Sequence, residues 1–349
     1  MSRLDALGWG LFFSSQLTAQ EQSALWPARI VADRGPRLLA QFEDTERIVV
    51  VPGRLNNRGE TPVVGDFVLT LPGEEPPIVR VLGRRSSLSR GAAGRATFEQ
   101  VLAANVDLVF VVQGLDSGVK PRRLERTLAA VHASGARPVV VLTKTDQVED
   151  APRAVREAEA AAAAAPVVGV SSPRGEGLDA VRALLSTGTT GVLVGPSGAG
   201  KSTLLNALLG EALQATREVR TTDSRGRHTT TGRVLVTLPW GGMLIDGPGI
   251  RELKLWDDSG ISETFDEVGR LAGQCRFRDC RHQGEPGCAV AEAIAQGRLA
   301  PDRLASMQKL QQEAEDRCRR RAQAPGHDDK RRWRAVRIQA RAMQKLRNR

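Results

Sequence analysis

The sequence predicts a multidomain α/β protein: an N-terminal β-barrel, a central α/β sheet domain and a C-terminal helical unit with a metal-binding cluster. Three observations predict it. A length of 349 residues suits two or three domains, at roughly 100–200 residues each. Short β-branched runs broken by Gly and Pro fill the first hundred residues, and apolar runs of strand length alternating with helical stretches follow. Three of the four cysteines then fall within residues 275–288. Hydrophobic residues make up 41% of the chain, enough for sizeable cores, so wholesale disorder is excluded.

Residues 1–24 are read as an N-terminal extension and 25–90 as the barrel. Its strands are expected at 29–31, 38–40, 48–51, 66–69 and 78–82. The turns between them are marked by Asp33-Arg34-Gly35-Pro36, Pro52-Gly53 and Pro72-Gly73. Five such strands suit an OB-fold, and an SH3-like barrel shares the same periodicity. Residues 86–94, rich in Ser, Gly and Ala, read as a linker.

The α/β domain is expected over 91–254. Its buried strands are 107–112, 138–142, 167–170 and 192–194. Between the first two lies a helix at 121–134, with Pro121 at N1 and Gly135 at C′. An Ala-rich helix is expected at 154–165, and 234–238 with 243–245 form a hairpin about Pro239-Trp240-Gly241-Gly242.

Gly195-Pro196-Ser197-Gly198-Ala199-Gly200-Lys201-Ser202 follows the strand 192–194 and opens a helix at Thr203. Glycines let backbone N–H groups turn toward phosphate oxygens at a positive helix end. In such a loop Lys201 reaches the β- and γ-phosphates and the Ser202 hydroxyl ligates Mg²⁺. Arginine supplies 43 of the 50 basic residues, yet this loop has one of only seven lysines. A slim point charge fits among packed phosphates where a planar guanidinium does not.

Three further segments resemble GTPase elements. Asp246-Gly247-Pro248-Gly249 comes 45 residues after Lys201, where a carboxylate reaches toward Mg²⁺ and Gly249 offers its N–H to the γ-phosphate. Gly226-Arg227-His228-Thr229-Thr230-Thr231 lies between, in the place of a switch loop; Thr230 is the chosen Mg²⁺ ligand, with Thr229 and Thr231 open. Thr143-Lys144-Thr145-Asp146 resembles a guanine-reading Asn-Lys-x-Asp, whose Asp accepts from the guanine N1–H and exocyclic amine. Val170-Ser171-Ser172 supplies a second base loop. Both base loops precede the phosphate loop, the reverse of ordinary GTPases, so the domain reads as circularly permuted. Ile250 stands where ordinary GTPases place the water-orienting Gln. His228 is the candidate for that task, since an imidazole can orient or deprotonate water; hydrogen bonding within its own loop is the alternative.

Cys275, Cys280, His282 and Cys288 form a Cys₃His set suited to Zn²⁺, and four protein ligands leave no open position for catalysis. Cys318 stands apart as a free thiol.

The formal net charge of +10 is concentrated at the end of the chain. Residues 317–349 hold 13 Lys+Arg and two Asp, which leaves the rest of the chain near neutral. A basic arm on a neutral body is the footprint of a polyanion, and nucleic acid is the expected partner. There is no apolar run of membrane-spanning length and no signal peptide, so a cytoplasmic protein is expected.

The motif order, the Gly-Arg-His-Thr-Thr-Thr switch, the barrel and the Cys cluster together resemble the RsgA (YjeQ) family of bacterial GTPases. The resemblance covers roughly residues 25–320 and includes Ala103-Ala104-Asn105-Val106-Asp107 at the domain entry. It implies an OB-fold, a circularly permuted P-loop GTPase domain and a zinc-binding domain at 255–316. It also implies one structural Zn²⁺ and Mg²⁺ with GTP. The implied partner is the 30S ribosomal subunit with its 16S rRNA, bound late in assembly, which stimulates hydrolysis to GDP and phosphate. A monomer is expected. Thr143 departs from the family's Asn, and a hydroxyl cannot match the amide's reach to the guanine edge. A P-loop kinase or ATPase, and a nucleotide-regulated RNA-binding scaffold, are the alternatives.

Overall fold

The structure, a computed structural model, describes residues 2–35, 37–91, 99–162, 164–210, 232–247 and 259–322. Its first residues pack against the barrel. Capping boxes at Ser2 and Thr18 start α1 (Arg3–Ala6) and α3 (Ala19–Ala24), with α2 (Leu11–Ser14) between. Leu4, Leu7 and Phe13 are buried, and the Phe13 ring lies 4.3 Å from that of Phe67.

The expected barrel strands appear as β1 (Trp26–Arg34), β2 (Arg37–Gln41), β3 (Glu46–Val49), β4 (Phe67–Thr70) and β5 (Ile78–Val81), with α4 (Gly53–Arg58) between β3 and β4. They pair antiparallel in the order β3-β2-β1-β4-β5, and a parallel bridge between Val50 and Pro77 draws the outer edges together.

The expected linker is partly a strand. β6 (Ser87–Gly91) pairs antiparallel with β7 (Glu99–Ala104), and Leu88 is fully buried. Its flanking serines suggest a loop, but hydrogen bonds to a segment twenty residues on let it be buried. The Ser86 hydroxyl donates to the Val106 carbonyl (2.6 Å) and accepts from the Val106 N–H (2.8 Å).

The central sheet contains β8 (Leu108–Gly114), β9 (Arg137–Thr143), β10 (Val167–Val170), β11 (Thr190–Val194), β12 (Val234–Thr237) and β13 (Met243–Asp246). Their order is β10-β9-β8-β11-β13-β12, all parallel except β12 against β13. All seven residues of β8 are buried, as a strand covered on both faces requires. α5 (Pro121–Ala133) and α6 (Ala151–Ala162) cover one face; α7 (Leu178–Leu184) and α8 (Lys201–Leu209) cover the other. α6 begins three residues before the expected start because the Asp150 carboxylate accepts the Arg153 N–H at 2.8 Å.

Barrel and sheet share one apolar core, and β1 pairs with β12 through Ala32 and Val234. The buried Arg29 guanidinium crosses this junction, donating to the carbonyls of Leu7, Gly65 and Asn105 and to the Thr190 hydroxyl. Desolvation pulls its pKa down to about 10.

The C-terminal unit comprises the helices Ile261–Thr264, Asp266–Ala272, Ala289–Ala295 and Pro301–Ala322. Phe265, Val268, Val290 and Leu310 pack against Ala129 and Ala130 of α5. Arg126 makes two bonds to Glu313 (2.6 and 2.8 Å), and Arg303 joins Glu125 (2.6 Å) to Glu267. Among the described residues no helix is long and apolar enough to cross a membrane.

Candidate functional site

The parallel strands bring their C-terminal ends to one edge, where ligands of open α/β sheets bind. Val192 pairs with Ile245, which sets Asp246 beside the start of the phosphate loop. Gly114 pairs with Thr143, and Thr143 with Val170, which aligns both base loops at the same edge. The sequence had separated these segments by up to a hundred residues.

After β11 the chain turns so tightly that a Cβ on Gly195 would lie 2.2 Å from the Val112 carbonyl. Gly198 and Gly200 have φ of +80° and +83°, the left-handed region that glycine enters freely. α8 begins at Lys201, so the N–H groups of its first turn have no partner within the helix. The Lys201 ammonium donates to the carbonyls of Gly195 (2.8 Å) and Pro196 (2.5 Å) across the loop. Ser197, Ser202 and Thr203 are exposed. A small pocket lined by Lys201, Ser202, Asp246, Gly247 and three apolar residues joins the phosphate loop to the end of β13.

Thr143 is buried and its hydroxyl donates to the Ala199 carbonyl at 2.6 Å. That side chain is therefore aimed at the phosphate loop, and it tethers one loop to the other. Asp146 accepts from the Ser171 hydroxyl at 2.7 Å. This bond, with the residue's own backbone N–H, holds its carboxyl below the usual carboxylate range. Ser171 is buried and Ser172 half-buried beside it. Lys144, with φ +61°, pairs with Asp116 at 2.6 Å, a residue that no motif marks. His228, Thr230 and Gly249, with Thr229, Thr231 and Ile250, lie outside the described residues.

In the C-terminal unit the ligand atoms of Cys275, Cys280, His282 and Cys288 all lie within 4.8 Å of one another, and the group could hold a metal ion. The Glu285 carboxylate closes the loop by accepting the N–H groups of Arg281 (2.8 Å) and Gln283 (2.6 Å). Cys288 caps the helix Ala289–Ala295. The His282 N–H lowers the Cys280 pKa, but burial and the two neighbouring thiols push it up to about 11. Against burial, the N–H groups of Val290 and Ala289 hold Cys275 below the ordinary thiol range. Cys318 is exposed and is not part of the group.

Known proteins share this organisation. The profile of the family described as RsgA GTPase matches residues 81–256. A protein of Opitutus terrae named small ribosomal subunit biogenesis GTPase RsgA is 42% identical over 366 residues, covering 99% of each chain. Its namesake in Xanthomonas campestris is 51% identical over 258 residues, covering 73% of this chain and 70% of the relative. The crystal structure of YjeQ from Thermotoga maritima aligns with a TM-score of 0.65 at 26% identity, covering 83% of this chain and 98% of that one. YloQ, titled a circularly permuted GTPase, has the same fold, with a TM-score of 0.64 at 22% identity, covering 89% of this chain and all of that one. With its base loops ahead of its phosphate loop and all of them at one sheet edge, the chain belongs to the RsgA family and is a GTP-hydrolysing enzyme on a circularly permuted GTPase fold.

Proposed function

We propose that this protein binds the 30S ribosomal subunit through 16S rRNA and assists its late maturation, hydrolysing GTP to GDP and phosphate under stimulation by the subunit. The observation that carries the reading is the single edge holding the phosphate loop, Asp246 and both base loops, in a chain with relatives named for small-subunit biogenesis.

In this reading, the backbone N–H groups of Gly195 and of Ser197 to Ser202, with Thr203 in the first turn, cradle the phosphates, and Lys201 neutralises them. Ser202 and Thr230 hold Mg²⁺, with Asp246 directed toward it, and Gly249 donates to the γ-phosphate. When bound there, Mg²⁺ would neutralise phosphate charge. Asp146 reads the guanine edge; Lys144, Ser171 and Ser172 border the base, and Thr143 couples the two loops. His228 orients the attacking water. His228→Ala should leave GTP binding intact and suppress stimulated turnover; unchanged stimulated turnover would refute its role.

The Cys₃His group is read as a structural zinc site. Metal–sulfur and metal–nitrogen bonds of about 2.3 and 2.05 Å set about 3.8 Å between sulfurs and about 3.5 Å from sulfur to nitrogen in a tetrahedron. The spacings fit: 4.0 Å between Cys275 and Cys288, and 3.6 and 3.5 Å from these thiols to His282 Nδ1. The barrel is read as an OB-fold, supported by α4 between β3 and β4 and by the Val50–Pro77 closure. The domain limits proposed are 25–90, 91–254 and 255–316, with a basic arm after them, in a cytoplasmic monomer.

Isolated 30S subunits should accelerate GTP hydrolysis by at least ~tenfold, well within what supplied transition-state groups achieve. No acceleration would favour a nucleotide-regulated scaffold.

A further inference from the structure

We propose that Asp116 is a positioning residue for guanine-nucleotide binding: its carboxylate fixes Lys144 so that the lysine stem forms a preset wall of the base site. The inference rests on reading residues 143–146 as the base loop.

The pairing is a product of sheet register. Asp116 lies in the short 3₁₀ turn Leu115–Ser117 directly after β8, and Lys144 directly follows β9. Because Gly114 pairs with Thr143, the two strands release these side chains at the same level of the same edge. Lys144 Nζ lies 2.6 Å from Asp116 Oδ2. The lysine backbone has φ +61°, a conformation that L residues with side chains rarely take.

Gly114 leaves room for the pair. A Cβ at that position would lie 2.6 Å from Asp116 Oδ1 and 3.5 Å from Lys144 Cδ and Cε. The lysine stem therefore runs across the face of a residue with no side chain. Gly114 itself needs no unusual backbone angle, so space alone accounts for a glycine there.

The neighbouring side chains are also anchored. Thr143 is tied to Ala199 of the phosphate loop, and Asp146 to Ser171 of the second base loop. Asp116 completes this set for Lys144. The Lys144 contact holds the Asp116 carboxyl below the ordinary carboxylate range, so the pair persists through neutral and mildly acidic pH. A free lysine side chain would have to be ordered when nucleotide arrives; one already ordered binds without that penalty.

The pair is partly exposed, at 25% for Lys144 and 47% for Asp116. The expected effect is accordingly modest, about three- to fivefold in affinity. Full-length wild type, Asp116→Ala, Lys144→Met and the double variant should be titrated with fluorescent GDP, and KM and kcat for GTP measured. Asp116→Ala should raise Kd and KM by that factor with kcat at saturation unchanged, and the GTP-over-ATP preference should persist because Asp146 is untouched. In the Lys144→Met background the same change should have no further effect. A wild-type Kd in Asp116→Ala, or an equal loss in the Lys144→Met background, would overturn the inference while leaving the base-loop reading intact. A wild type without preference for guanine would overturn both.

Discussion

Thr143 shows how one side chain can link two distant loops. Its hydroxyl bonds to Ala199, 56 residues further on, and joins the base loop to the phosphate loop. A hydroxyl at this place reads as a weakened base contact when only its own loop is considered. In the folded chain it is a buried donor aimed at a carbonyl. Thr143→Val keeps the shape and removes the bond, which is worth about 1 kcal/mol net. Affinity for GTP and ATP should therefore fall together by about fivefold, with their ratio unchanged, in nucleotide titrations. Loss confined to GTP would instead mean that Thr143 touches the guanine. Lys201, Ser202, Asp146 and Asp246 could be picked out in the sequence because residue types at short spacing mark the segments that the strands bring to one edge. Asp116 was not legible, because it stands 28 positions before Lys144 and no pattern between them predicts the contact.

Among the elements, α5 joins the GTP-binding sheet to the unit that carries the Cys₃His group. Its Glu125, 3% exposed, accepts from Arg303 and Ser306 of the helix Pro301–Ala322, while Arg303 also contacts Glu267 and the Thr264 carbonyl. Arg303→Met would leave a buried carboxylate without its cation, a loss of about 3–5 kcal/mol. Denaturant unfolding should show it as a lower midpoint, with GDP affinity near wild type because Arg303 bonds to Glu125, Ala161, Thr264 and Glu267, none of them in the phosphate or base loops. The strands of the barrel and the central sheet, with α5, α6 and α8, followed from periodicity and capping, whereas β7 was not expected. Nor was β6, because its buried position depends on the Ser86 hydroxyl bridging to Val106, twenty residues away.

For the whole molecule, the metal group and the basic segment carry separate predictions. The C-terminal core encloses Cys288 and packs Cys275 and Cys280 at its margin. Ligands that must deprotonate to bind couple metal affinity to pH and to folding. Chelation at neutral pH, or acidification that protonates the thiolates and His282, should release close to one zinc per chain and lower the unfolding midpoint. Protein purified without chelators that contains no zinc would rule the site out. The onset of positive charge at residue 317 falls inside the helix Pro301–Ala322, so removal of 323–349 preserves that helix. The deleted segment holds nine Lys+Arg and two Asp. The truncated protein should keep its nucleotide affinity and bind 30S subunits more weakly, with a shallower salt dependence because fewer counterions are released. Full-strength binding with the same salt slope would show that residues 323–349 make no contact.

By itself the sequence determined the groups available to this protein: a glycine-rich loop with Lys201, the carboxylates of Asp146 and Asp246, a Cys₃His set and a basic end, each written in residue types at short spacing. It also determined the permuted order, since that is a matter of which motif comes first. The tertiary structure decided which of these groups meet. Strand register set the base loops beside the phosphate loop, placed Asp116 against Lys144 and joined the barrel to the sheet through Arg29. Such contacts depend on how strands align and how helices pack over distances that no local pattern spans, and they exist only once the chain has folded.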